Sequence, residues 1–138
     1  MTHIETTRII VDAFSRGDIP TILDKLADDV AWEHASVSDV PWYRERRGKA
    51  DVADFFGSLA AVEFLQWEPK HYFTDGDLVL VVIDSDYRVK KNGRRVVYED
   101  CVLLFRYDEA GRLARFGHRA DLLAGWLAWH DRAVTQAA

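Results

Sequence analysis

Two histidines, His34 and His118, stand among apolar and aromatic neighbours. Each titrates close enough to neutrality to take or give a proton in general acid–base catalysis. Asp84 adjoins an apolar run and is a third candidate catalytic residue: it would orient one imidazole and stabilise its charged form, as a carboxylate does in a catalytic dyad. Asp86 has the same chemistry but lies nearer a turn, where a solvated carboxylate explains it. Trp32, Trp42 and Tyr43 offer rigid area to wall a pocket for a ring-bearing molecule, or to pack a core or a dimer contact. Cys101, Leu103 and Phe116 join them as candidate lining residues. Cys101 is not read as a nucleophile, because a nearby aspartate raises a thiol pKa. His34, His118 and Asp84 would in principle make a three-ligand zinc set, but nothing in their spacing demands it. Neither a metal nor a cofactor is expected.

These side chains act only where elements hold them. Ile4, Ile9, Ile10, Val11, Ala13 and Phe14 recur at helical spacing, with Thr2 and Glu5 as a capping box and Gly17 as the end. Asp18 caps a second short helix with Pro20 in its first turn and Ile22, Leu23 and Leu26 as its apolar stripe. Val30, Trp32 and His34 alternate with Ala31 and Glu33, which predicts a short strand. A polar stretch over 35–48 carries Trp42 and Tyr43, and a third helix is expected over about 50–62. Turn signals at Asp75-Gly76, Asn92-Gly93 and 108–111 then separate four strand-like runs, 64–73, 78–89, 96–107 and 113–119. Four strands joined by hairpins form an antiparallel meander. Asp121 reads as the N-cap of a last helix, with Leu122, Leu123, Trp126, Leu127 and His130 on one face.

Helices first and strands afterwards give an α+β fold. A curved antiparallel sheet is expected, wrapped by N-terminal helices and an extra C-terminal helix, in one domain over 1–138. Two central runs are apolar on both faces, so both faces must be covered. If Asn92-Gly93 is a two-residue turn, Lys91 pairs with Arg94 and Asp84 faces Cys101. Val82 then faces Leu103 and Leu80 faces Phe105, putting Asp84 and Asp86 on one face beside apolar neighbours. This unbulged register is the expectation. A one-residue bulge exchanges the two aspartates for Ser85 and Tyr87. Glu99 and Asp100, being adjacent, point to opposite faces unless such a bulge intervenes.

Composition narrows the function classes. The chain has 138 residues, 49% of them hydrophobic and 30% charged, with a formal net charge of −5. That balance argues against an extended nucleic-acid or membrane surface. Basic residues cluster only near turns, at Arg44, Arg46, Arg47 and Lys49 and at Lys90, Lys91, Arg94 and Arg95. The single cysteine, Cys101, suits a reducing compartment. No run approaches the roughly 20 apolar residues of a membrane span. A cytoplasmic location is expected.

Several motifs resemble the nuclear transport factor 2-like superfamily. They are Gly17-Asp18-Ile19, the stretch Leu26-Ala27-Asp28-Asp29-Val30-Ala31-Trp32, Gly48-Lys49-Ala50-Asp51-Val52 with Phe55-Phe56, and Phe105 to Leu113 leading to Asp121. The superfamily includes ketosteroid isomerases, SnoaL-like polyketide cyclases, limonene epoxide hydrolase and scytalone dehydratase. The resemblance implies a conical half-barrel, a pocket on the concave face and frequent dimerisation through a sheet face. It implies that His34 occupies the ketosteroid isomerase base position. The two oxyanion donors of those enzymes correspond to Ile10 and Leu103, so true ketosteroid isomerase activity is not expected. The water-positioning residues of limonene epoxide hydrolase match Trp32 and His34, and a carboxylate on its last strand matches His118.

The function expected is a cofactor-independent isomerase, dehydratase, cyclase or hydrolase using histidine acid–base chemistry. Its partner would be a small apolar or ring-containing molecule, and the protein would be a homodimer. The alternative is a non-catalytic ligand-binding or dimeric interaction module of the same fold.

Overall fold

A computed structural model describes residues 1–33, 39–120 and 122–132. The first helix, α1 (His3–Ser15), starts with the expected capping box between Thr2 and Glu5. Asp18 caps α2 (Ile19–Asp24) through the Thr21 amide. Leu26 leaves the expected helical stripe, because the chain is already extended in β1 (Leu26–Glu33). A two-residue strand, β2 (Arg46–Arg47), precedes α3 (Lys49–Ser58). The third helix stops short of 62: a single 3₁₀ turn, Leu59–Ala61, hands over to the long edge strand β3 (Val62–Asp75). The strands β4 (Leu78–Val89), β5 (Arg95–Tyr107) and β6 (Leu113–Arg119) complete the meander, and α4 (Leu122–Trp129) follows.

The six strands lie in the order β2-β1-β6-β5-β4-β3. All neighbours are antiparallel except β1 and β6. In β4, Val79, Val81, Ile83, Ser85, Tyr87 and Val89 are buried at every second position, so this face turns to the helices. The opposite face carries half-buried Leu80, Val82, Val102 and Leu104 with exposed Phe73. Among the described residues no helix is long and apolar enough to cross a membrane.

The β4–β5 register departs from the unbulged expectation in two places. The Asn92-Gly93 turn is wider than two residues: the Val89 amide donates to the Arg94 carbonyl at 2.8 Å, and Arg88 pairs with Arg95. Asn92 is occupied elsewhere. Its side-chain amide donates to the Ala128 carbonyl at 2.8 Å, near the end of α4, and its side-chain oxygen accepts from the Arg94 amide. Further along, Ser85 pairs with Tyr98 but Ile83 pairs with Cys101, so β5 carries one extra residue at 99–100. Asp100 takes the left-handed conformation there, with φ 57°. Asp84 holds it, accepting from the Asp100 amide at 3.0 Å while Lys70 bridges Asp84 and Asp100 at 2.9 and 2.6 Å. The cluster shifts the charges it binds: Lys70 is raised by Asp100 and then Asp84, and Asp84 is lowered by Lys70 and then the Asp100 amide.

At the other end of the sandwich, α4 sits directly on Tyr43. A Cβ at Gly125 would fall inside the Tyr43 hydroxyl and ring, so only glycine lets the two approach. Gly125→Ala is therefore expected to lower stability by about 1–3 kcal/mol in urea unfolding, the cost of overpacking. Gly57→Ala is its control. No atom lies within 4 Å of a Cβ there, and alanine favours the helix by about 1 kcal/mol, so this variant should unfold at equal or higher urea.

Candidate functional site

Between the concave face and the helices lies a chamber of about 90 Å³. That is several times the ~10–15 Å³ that one water needs. One wall is aromatic and dry: Trp32 of β1 stacks on Phe116 of β6 with centroids 4.0 Å apart, and Phe55 and Phe56 of α3 pack on Trp32. Leu103 and Phe105 form the floor. The other end holds Trp42, Tyr43, Tyr87 and Tyr98. Trp42 and Tyr43 reach it because buried Arg46 pins their segment. Its guanidinium donates to the Pro41 carbonyl at 3.3 Å and pairs with Asp54 of α3.

The three tyrosines form a chain of hydroxyls. Tyr43 Oη lies 2.6 Å from Tyr98 Oη, which lies 3.4 Å from Tyr87 Oη. Each of these contacts carries one hydroxyl proton between its two oxygens. Burial raises Tyr87 and Tyr98 well above the ordinary tyrosine value, so both remain protonated donors. The indole N–H group of Trp32, which is buried, finds no acceptor among the described residues.

His118 and Ser85 are further polar residues of the chamber wall. The Cys101 thiol, pushed up to about 12 by burial, stays protonated and donates to the Arg119 carbonyl at 3.4 Å. Its sulfur is then left to accept from His118 Nε2 at 3.5 Å. This arrangement assigns the proton to Nε2 and the basic lone pair to Nδ1. Burial, and then the Arg119 charge, pushes His118 down to about 4.

The structure thus brings Trp32, Trp42, Tyr43, Leu103, Phe116 and His118 to one chamber. Cys101 stands behind His118 rather than on the wall. Asp84 is placed differently from expectation. The unbroken alternation of β4, with Val79 to Val89 buried at every odd position, puts it and Asp86 on the convex face, where Asp84 binds Lys70 and Asp86 binds Arg95. Ser85 and Tyr87 take the concave positions instead. His34 and Asp121 lie outside the described residues. Tyr98 is the site residue that pattern reading misses. Its inward direction follows a parity change: buried residues fall at 96 and 98, then at 101, 103, 105 and 107, a switch masked in the sequence by apolar Val97, Val102 and Leu104. Among the described residues, no Asp, Glu, Lys or Arg lines the chamber, and no three metal-ligating side chains cluster.

The depressed His118 value has a measurable consequence. The unfolded chain takes up this proton near pH 6.5, the folded one only near 4. The stability contribution is complete above pH 6.5 and is lost as pH falls towards 4, on the order of 3 kcal/mol in all. Urea midpoints should therefore drop between pH 7 and 4.5, and His118→Gln should flatten that drop. Equal pH dependence in both proteins would show that another group is responsible.

Solved structures with the same fold include an NTF2-like protein of unknown function from Burkholderia pseudomallei. It is 24% identical, with a TM-score of 0.78 over 89% of this chain and 94% of that one. The protein TerC, crystallised with polyporic acid, is 20% identical, with a TM-score of 0.79 over 93% and 98% of the two chains. An LEH-like epoxide hydrolase from M. tuberculosis is 18% identical, with a TM-score of 0.68 over 94% and 90%. No curated protein matches the sequence. The SnoaL-like domain model matches residues 7–116, most of the chain, and the protein belongs to the SnoaL-like domain family.

Proposed function

We propose that the chamber binds a small ring-bearing molecule through a carbonyl or phenolic oxygen and moves a proton on it without a cofactor. The buried Tyr43–Tyr98–Tyr87 hydroxyl chain facing the same dry space as a neutral histidine carries this reading. In this reading the protonated hydroxyls of the trio turn a donor towards the ligand oxygen, stabilising negative charge as it develops there. His118 Nδ1 takes the proton from the adjacent carbon or hydroxyl and returns it to another position. A base of such low pKa removes only an activated proton, so the substrate carries its C–H beside a carbonyl or within a conjugated ring. That a structural relative was crystallised with polyporic acid is consistent with a planar oxygenated ligand. His34 would serve as a second acid or base, and a second copy of the chain would cover the Leu80, Val82, Val102 and Leu104 face.

A second reading, binding without turnover, is favoured by one observation: the only carboxylates expected near an imidazole, Asp84 and Asp86, face away from the chamber. The two readings separate on a simple probe, 1-phenylpropan-2-one. Binding is followed by tryptophan fluorescence, and exchange of its benzylic hydrogens in deuterated water by proton NMR. Catalysed exchange that falls 10- to 100-fold in Tyr98→Phe and His118→Gln supports the enzyme, and His34→Ala should lower it too. Saturable binding with no exchange above the buffer rate leaves a carrier or sensor. No binding at all removes both readings.

A further inference from the structure

The chamber is not closed. Phe64 of β3 lines it and yet is 37% exposed, which puts the opening at the start of the edge strand. Outside that opening runs a groove of about 590 Å³, between the α1–α2 turn, the end of α3 and β3. Chamber and groove share Phe14, Phe56, Leu59, Phe64 and Trp67, so they form one continuous surface. A second β-bulge builds the outer wall. Phe64 pairs with Tyr87 and Gln66 with Asp86, so Leu65 is the extra residue. In a regular strand Phe64 and Leu65 would point to opposite sides; here both line the groove. Leu65 is left 45% exposed. No charged side chain lines the groove among the described residues. The Phe64 ring packs against that of Tyr87 with centroids 5.7 Å apart, so the mouth adjoins a member of the hydroxyl chain.

We propose that this groove is a subsite for an uncharged aliphatic tail, straight or isoprenoid, carried by the same ligand whose oxygen meets the tyrosine trio. The proposal rests on the reading of the chamber given above. Continuity selects this occupant: a tail leaving the chamber past Phe64 runs directly onto the groove, with which the chamber shares five apolar lining residues. The absence of charge excludes a tail ending in a carboxylate or phosphate near the mouth.

The test is a homologous series from 1-phenylpropan-2-one to 1-phenyldodecan-2-one, titrated by tryptophan fluorescence. Affinity should rise about two- to fourfold per methylene until the tail outruns the groove. Leu65→Asp and Ala60→Asp, both at exposed positions, should abolish the rise and leave the affinity of 1-phenylpropan-2-one unchanged. If the shortest ketone binds and the series is flat, the tail subsite is wrong and the chamber reading stands. If no member binds, the chamber reading fails first. If Leu65→Asp changes the molecular mass in solution and leaves the chain-length slope intact, a second copy occupies the groove, and the proposal is overturned.

Discussion

A strand assigns its side chains to two faces by parity, and only an inserted residue can change the assignment part-way along. The extra residue at 99–100 of β5 does this for the whole site. Before it, Val96 and Tyr98 face inwards; after it, Cys101, Leu103, Phe105 and Tyr107 do. Without it, Tyr98 could not share a face with both Tyr87 and Leu103. The inserted residue must adopt a left-handed backbone, which is tolerable for aspartate and uncommon for most others. Asp84 and Lys70 make that conformation favourable by giving the Asp100 amide and carboxylate their partners. Asp84 is therefore a positioning residue. It acts on the chamber from the far side of the sheet, through a backbone bend.

Once the faces are set, burial decides the charge states. The chamber excludes carboxylates and cations among its described lining, and burial there favours neutral forms. Tyr87 and Tyr98 are pushed up and stay hydroxyls; His118 is pushed down and stays an imidazole. The resulting site is rich in hydrogen-bond donors yet uncharged. Such a site gains most from a ligand whose oxygen becomes negative only during reaction, since the donors are already aimed and no water must reorganise.

Much of the frame was legible in the sequence, because caps, turns and alternation act locally. Thr2 with Glu5, Asp18, Asp75-Gly76 and the 108–111 turn do in the fold what their chemistry predicts. What misled were residues with a distant partner. Asn92 looks like a tight-turn residue, but its amide is engaged by α4, 36 positions away, and the hairpin widens to suit. Leu26 continues a helical stripe by spacing, yet pairs with Leu113 across the sheet. Asp84 continues an apolar run and so suggested an active-site carboxylate. Its real partners, Lys70 and Asp100, come from two other strands. The site aromatics Trp32, Trp42, Tyr43 and Phe116 were recognisable by type. Tyr98 was hidden because its face depends on a bulge whose only trace is a parity switch.

The closing helix ties these features together. Gly125 permits Tyr43 to reach Tyr98, and Asn92 holds the end of the same helix through the Ala128 carbonyl. Lys91 lies 3.2 Å over the Trp129 ring, and Trp129 meets Trp42 edge-on. The β4–β5 hairpin therefore reaches the chamber twice, once through Tyr87 and Tyr98 on its strands and once through its tip and α4. Any motion that lifts α4 must loosen Tyr43 and Trp42 together, because both pack beneath it. The opposite end, at Phe64 and Leu65, has no such clasp among the described residues. The polar end is therefore held by α4 and the hairpin tip together, while the end at Phe64 and Leu65 opens onto the apolar groove.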